Sequence, residues 1–475
     1  MISKLLKQGS HYASGTVLLS IASLISFPIL TRYLPMSEYG TLSLLTTVLG
    51  LFIALNKLGL QQSVLRFHDK SNTNFNFSLF VLLVFSLVVV ALLLSVINYL
   101  YSYPLISDYF YILCLSASLQ AYKSVILNCY AAEQKSIKVN LFNVLYKYLG
   151  LFIMIICLFY IGYDALSVFY SIVFTDILFS LLISFVWIKR VKWGSIDFSL
   201  IRNLAFYGFP LMVVEFMQVS HAFVDRFIIE YYLNAKSVAE YSAPYSIADI
   251  ISSVIFGAMA TALVPIYIGL WNEGKKKETE VFLTKISNYF LLFLPIIITG
   301  TYVISIPLMS LLASDAYAES AFILPVALAG VAIFSSTFIY SAGLKLKTSQ
   351  VKVIIYVFES LVLNVVLNIA FVNEYGILAS ALSTIASYLW MSFRYFLASQ
   401  KVLTIKFNYV YFLKGATVSF FMYIMLMNIG ALGSDILNLF YYSIVGLIFS
   451  CTCLCLLDEN IRLLVIKYIP IELSR

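Results

Sequence analysis

Charge is what this sequence has least of. Only 11% of its 475 residues are Asp, Glu, Lys or Arg, where a water-soluble domain carries about 25%. Hydrophobic residues make up 62%, which excludes a soluble protein of this length. Strict apolar–polar alternation is also missing, which excludes a transmembrane β-barrel. No polar segment is long enough to fold by itself on either side of a membrane. That argues against a membrane polymerase or glycosyltransferase, which usually carries a sizeable extracytoplasmic loop for its chemistry. The net charge of +7 is scattered, without the clustered basic stripe of a nucleic-acid binder. Six cysteines are present (Cys114, Cys129, Cys157, Cys451, Cys453, Cys455), all inside apolar runs, so no disulfide framework is expected. Cys451, Cys453 and Cys455 do not make a metal site either, because helix positions two apart point about 200° apart. No cofactor is implied.

What the chain does have is about fourteen apolar runs, each long enough to cross a hydrocarbon core of ~30 Å as a helix. They lie near 12–33, 39–65, 77–102, 109–131, 139–161, 165–188, 203–232, 237–269, 281–312, 320–344, 350–372, 377–400, 409–429 and 435–457. Basic residues fall in every second gap. They appear at Lys4 and Lys7, Arg66 and Lys70, Lys135 and Lys138, then Lys189, Arg190, Lys192 and Arg202. The series continues with Lys275, Lys276, Lys277 and Lys285, then Lys345, Lys347 and Lys352. Arg394, Lys401, Lys406 and Lys414 follow, and Arg462, Lys467 and Arg475 complete it. On the other side only Arg32 and Lys236 plainly flank a run. Because basic loops stay in the cytoplasm, an even number of crossings with both termini cytoplasmic is expected. The first apolar run is too long for a cleavable signal and is expected to stay as a signal-anchor.

The longest basic connector, 191–202, divides a first set of six spans (1–190) from a second (203–402), leaving 403–475 for the last two spans and a tail. A faint correspondence crosses this divide. Thr31-Arg32-Tyr33 followed by Glu38-Tyr39-Gly40 is matched by Asp225-Arg226-Phe227 followed by Glu240-Tyr241-Ser242. Spans 1 and 7 run the same way, so this is a parallel repeat about an axis along the membrane normal.

Ionisable residues inside spans cost on the order of 2.5–3.5 kcal/mol each and must face protein or water. Span 7 carries most: Glu215, Gln218, His221 and Asp225 share one face, with Arg226 at its rim. Span 8 adds a stripe of Ser242, Tyr245, Ser246, Asp249 and Ser253. Asn56, Lys57, Gln61 and Gln62 lie on span 2, with Arg66 at its basic edge, and Lys123 lies on span 4. A polar cleft lined by spans 1, 2, 7 and 8 is the geometry this implies. Two alternatives stand beside it. Asp225 and Arg226 can be a packing ion pair, and Ser/Thr stripes can be helix-packing faces.

Phe27-Pro28-Ile29-Leu30-Thr31-Arg32-Tyr33-Leu34 running into Ser37-Glu38-Tyr39-Gly40, and Asp225-Arg226-Phe227-Ile228-Ile229 with Tyr241-Ser242-Ala243-Pro244-Tyr245, resemble the corresponding segments of Wzx-type polysaccharide flippases. These belong to a superfamily shared with MATE-like multidrug extruders. The resemblance implies an all-α integral membrane protein of about fourteen helices, in two six-helix lobes with a C-terminal helix pair that helps to cradle a lipid tail. It implies no enzyme but a transporter in the bacterial cytoplasmic (inner) membrane. Its substrate would be an undecaprenyl-pyrophosphate-linked oligosaccharide repeat unit for O-antigen or capsule, with the polymerase and glycosyltransferases of that pathway as partners. On that reading Lys57, Arg66, Arg226, Arg32 and Lys123 are candidates for the diphosphate, since cations, and arginine's planar fork above all, suit phosphate. Tyr241, Tyr245, Gln218 and His221 are candidates for the sugar. Glu215, Asp225 and Asp249 are candidates for a coupling proton or sodium ion. Two rivals remain: a multidrug extruder on the same fold, whose cleft would be acidic, and a membrane polymerase.

Overall fold

Lipid offers backbone amides no hydrogen-bond partners, so a continuous apolar run has one solution, a helix that satisfies its own N–H and C=O groups. The computed structural model follows that rule throughout. It describes residues 2–69, 74–100, 104–191, 194–347, 350–430, 432–459 and 461–463, with backbone alone at 2–14, 104–105 and 350. Lys70, Lys192, Lys467 and Arg475 of the basic series, and the side chains of Lys4 and Lys7, lie outside the described residues. No strand forms among the described residues. Among the described residues, thirteen helices are long and apolar enough to cross a membrane. One of them, Gln350–Gln400, has 51 residues and turns at Gly376 (φ 61°, ψ −150°). At 1.5 Å per residue it is roughly 75 Å long, twice what one crossing needs. The break falls between the runs 350–372 and 377–400, so this one helix carries two of the fourteen apolar runs.

The helices are α1 Ile2–Tyr33, α2 Met36–Lys57, α3 Leu60–Phe67, α4 Phe75–Leu100, α5 Pro104–Ala132, α6 Ser136–Tyr160, α7 Ala165–Ile188, α8 Phe198–Tyr232 and α9 Ala235–Ser252. A π turn, Ser253–Gly257, separates α9 from α10 Ala258–Asn272. There follow α11 Lys276–Leu312, α12 Ile323–Ser335, the short α13 Thr337–Tyr340 and α14 Ala342–Leu346, α15 Gln350–Gln400, α16 Tyr409–Asn428 and α17 Asp435–Leu457. They form two compact units, Met1–Ser242 with Thr348–Ser383, and Ala243–Lys347 with Thr384–Arg475.

In the first unit, span 2 is not one helix. It stops at Lys57, passes through Leu58 (φ 46°) and Gly59 (φ 67°), and restarts as α3. Both residues occupy the left-handed region, which only glycine enters without steric cost. Gly59 has a second reason to be glycine: a Cβ there would come within 2.0 Å of the Gly208 carbonyl oxygen on α8. Gly208 is closed in turn, since its Cβ would meet the Leu58 carbonyl oxygen at 2.6 Å. Backbone therefore touches backbone where α8 passes the break. Around it lies an apolar core including Leu60, Val64, Phe75, Leu79, Phe179, Trp187 and Leu204.

Two polar knots tie the same unit. Asp176 of α7 accepts hydrogen bonds from Ser116, from Gln120 (3.0 Å) and from the Tyr146 hydroxyl (2.7 Å), and the Lys123 ammonium lies 3.0 Å from the centre of the Tyr146 ring. Where α3, α5 and α7 end, Glu133 pairs with Arg190 (2.9 Å) and Lys135, with His68 Nε2 at 3.6 Å. Burial pushes the Glu133 carboxyl up, but hydrogen bonds and charge from Arg190 and Lys135 outweigh it and hold the pKa at about 2.

In the second unit α11 is the hub. Gly415 of α16 lets the two backbones meet, since a Cβ there would lie 2.1 Å from the Leu292 carbonyl oxygen. Leu292, Ile296, Val418, Met422, Leu426 and Leu454 pack behind it. The connector before α16 runs extended along α11. The amides of Thr404, Lys406 and Asn408 donate to Glu280 (2.9 Å), Thr284 (3.1 Å) and Asn288 (3.3 Å). Two residues of extended chain advance ~6.6 Å and four of helix ~6 Å, so the two periods match.

Candidate functional site

The helix break at Leu58 gives Lys57 its position. As the last residue of α2 it stands at a helix C-terminus, where the dipole favours a cation. Its ammonium pairs with Glu215 Oε1 on α8, while Gln61, just past the break, donates to Glu215 Oε2. Thus two expected site residues with opposite roles, a diphosphate cation and an ion-coupling carboxylate, are brought onto each other. The side chains are 13% and 22% exposed. Gln61 Oε1 is buried with no hydrogen-bond partner among the described residues.

Three turns along α8 the chemistry differs. Arg226 is 7% exposed. Its guanidinium carbon lies 4.3 Å from the Phe223 ring centre, and Nη1 is 3.5 Å from the Thr47 hydroxyl. Its Nε has no partner, and no carboxylate forms an ion pair with this guanidinium among the described residues. Asp225 does not lock onto its neighbour's side chain. It accepts a hydrogen bond from the Tyr241 hydroxyl and one, at 2.8 Å, from the Arg226 backbone amide. Ser43 completes the tie between α2 and α9 by donating to Ser242 at 2.7 Å. Tyr241 is 1% exposed, with its hydroxyl engaged inside the unit.

His221 also turns inward, its Nε2 lying 2.7 Å from Ser360 Oγ on α15. Ser360 opens a stripe that the sequence reading missed. Ser360, Asn364 and Asn368 are spaced by four and fully buried, and Ser380 donates to Asn368 Oδ1 across the Gly376 turn. Two asparagines four apart in an apolar run were the available signal, since buried amides in a span need partners. Gln218 is half-buried on α8. Lys123 belongs to the separate Asp176 knot. Arg32 lies exposed at the end of α1, and Arg66 is exposed at the end of α3, stacked on Tyr207 at 4.6 Å. Tyr245 and Asp249 fall in the second unit, Tyr245 buried and Asp249 exposed. Among the described residues no group of three or more His, Cys, Asp and Glu converges as metal ligands would.

The fold is similar to that of three solved transporters. A lipid II flippase MurJ in an inward closed conformation is 16% identical, with a TM-score of 0.73 over 94% of this chain and 99% of that one. An inward-facing multidrug resistance MATE family transporter of the MOP superfamily is 14% identical (TM-score 0.63, 81% and 94% covered). The Vibrio cholerae MATE transporter VcmN is 15% identical (TM-score 0.57, 84% and 96% covered). No curated protein matches the sequence. Residues 5–271, more than half of the chain, match the model of one family, and the chain belongs to it: the polysaccharide biosynthesis protein family.

Proposed function

We propose that this protein translocates an undecaprenyl-pyrophosphate-linked oligosaccharide repeat unit from the cytoplasmic to the outer leaflet of a bacterial cytoplasmic membrane, supplying surface polysaccharide such as O-antigen or capsule. It performs no covalent chemistry. The polymerase and glycosyltransferases of the same pathway stand on either side of it. The basic loops and both termini are cytoplasmic, and residues 1–190 and 203–402 act as the two halves. The observation that carries the reading is Arg226, a guanidinium buried within a span with no carboxylate paired to it among the described residues. An uncompensated charge in that position is costly, and a diphosphate is the ligand that repays it through bidentate, charge-assisted hydrogen bonds. A cation extruder would be hindered by the same group. Lys57, paired with Glu215, supplies a second cation, and Glu215, Asp225 and Asp249 are the candidates for the coupling proton or sodium ion.

In cells lacking the protein, complete lipid-linked repeat units should accumulate in the cytoplasmic leaflet. Arg226→Gln should reproduce that accumulation at normal membrane abundance, and Arg226→Lys should restore only part of the export, since a point charge lacks the planar fork. Accumulation of shorter, unfinished sugars would point instead to a synthetic role. Full export by Arg226→Gln would remove this residue from the site.

A further inference from the structure

Arg226 lies near one end of α8, and a different constellation lies at the other. Ser199, Arg202, Asn203 and Phe206 follow one another at helical intervals of three, four and seven, so they share one face of α8. With Arg66 and Tyr207 they line a cavity of about 710 Å³ at the junction of α3 and α8. The Arg66 guanidinium is sandwiched toward two rings, 4.6 Å from the centre of Tyr207 and 5.7 Å from that of Phe67. Stacking holds its plane while leaving the N–H donors at its edge free for a planar or tetrahedral anion. Neither Arg66 nor Arg202 has an ion-pair partner among the described residues. The carboxylate nearest to Arg202 in sequence, Asp197, caps α8 by accepting from the Leu200 amide at 3.0 Å, and Asp69, three residues from Arg66, forms no ion pair with that arginine among the described residues. Beside the two guanidiniums, Phe198 and Phe206 are 76% and 85% exposed. Cations next to uncovered aromatic rings at the end of a spanning helix fit an amphiphile, with an anionic head and an apolar tail. From Arg202 to Arg226, α8 rises roughly 36 Å, about the thickness of a hydrocarbon core. The two arginine stations therefore stand a membrane's thickness apart on one helix.

We propose that the Arg66–Arg202 pocket is a loading site that takes the diphosphate headgroup of a polyisoprenyl-linked sugar from the cytoplasmic leaflet, before transfer toward Lys57 and Arg226. The proposal rests on the flippase reading and adds a site to it. The two guanidiniums hold the phosphates, Tyr207 keeps Arg66 in plane, and Phe198 and Phe206 lie along the first isoprene units.

The test uses the full chain in phosphatidylcholine nanodiscs and a polyprenyl diphosphate bearing a photoreactive group on its first isoprene unit, with labelled peptides mapped by mass spectrometry. Labelling is expected within residues 198–210 and should fall at least tenfold in Arg66→Gln/Arg202→Gln. It should persist in part in Arg66→Lys/Arg202→Lys and be unchanged there in Arg226→Gln. Both double variants should elute and melt like the parent, since the altered side chains are exposed. Undiminished labelling of the Gln double variant overturns the loading site. Labelling confined to the neighbourhood of Arg226 overturns it too, while leaving the flippase reading intact. Absence of labelling anywhere on the chain defeats both. Equal competition by phosphatidylglycerol assigns the pocket to bulk anionic lipid, and equal competition by inorganic pyrophosphate assigns it to a soluble diphosphate. Either result rejects the proposal.

Discussion

At the scale of single residues, the pairing of Lys57 with Glu215 changes how each is tested. Removing one partner leaves the other as a lone charge within a span, a loss on the order of 1–3 kcal/mol. Lys57→Gln and Glu215→Gln should therefore each lower the melting temperature of the purified protein. Lys57→Gln/Glu215→Gln should recover most of that loss, because no charge is then left unpaired. Export should stay down about tenfold or more in the double variant, a factor worth ~1.4 kcal/mol, because no cation remains there for the diphosphate. Recovery of both stability and export would make the pair purely structural. Arg226 differs because no carboxylate among the described residues pairs with its guanidinium, so its removal should cost function with little change in stability.

At the scale of elements, the break between α2 and α3 sets where Lys57 and Gln61 stand. It exists because Gly59 and Gly208 allow two backbones to touch. Gly59→Ala adds a Cβ at φ 67° and 2.0 Å from the Gly208 carbonyl oxygen. The left-handed strain alone is about 1–2 kcal/mol, and the clash forces α8 away as well. The expected outcome is a lower melting temperature together with loss of export. Gly269→Ala, on α10 with nothing within 4 Å of its new Cβ, should leave both unchanged or gain slightly in stability. Equal melting temperatures for the two variants would show that the close approach at the break contributes nothing.

At the scale of the whole molecule, the basic alternation makes a topological statement that labelling can check. Ser195, Glu278 and Ser434 are all exposed in loops or at a helix start. In a background without the six native cysteines, Ser195→Cys, Glu278→Cys and Ser434→Cys should divide by side. A membrane-impermeant thiol reagent added outside intact cells should reach only the Ser434→Cys variant. Reaction at either of the other two would reverse the orientation and place the Arg66–Arg202 pocket on the outer face.

The sequence by itself determined the membrane-spanning helices, their number and their approximate ends. Each follows from local physics: apolar length against bilayer thickness, and the need of every amide for a partner in lipid. It also showed that α8 carries a polar face, because helical spacing alone puts Glu215, Gln218, His221 and Asp225 together. Only the tertiary structure decided what that face meets. Glu215 went to Lys57, Asp225 to Tyr241, His221 to Ser360, and Lys123 into the knot around Asp176. Such pairings depend on the rotation and depth of one helix against another, and periodicity within a helix carries no information about either. The break at Leu58–Gly59 was hidden for the same reason. A lone glycine in an apolar run is ordinary, and what requires it is the backbone of Gly208, some 150 residues further along the chain.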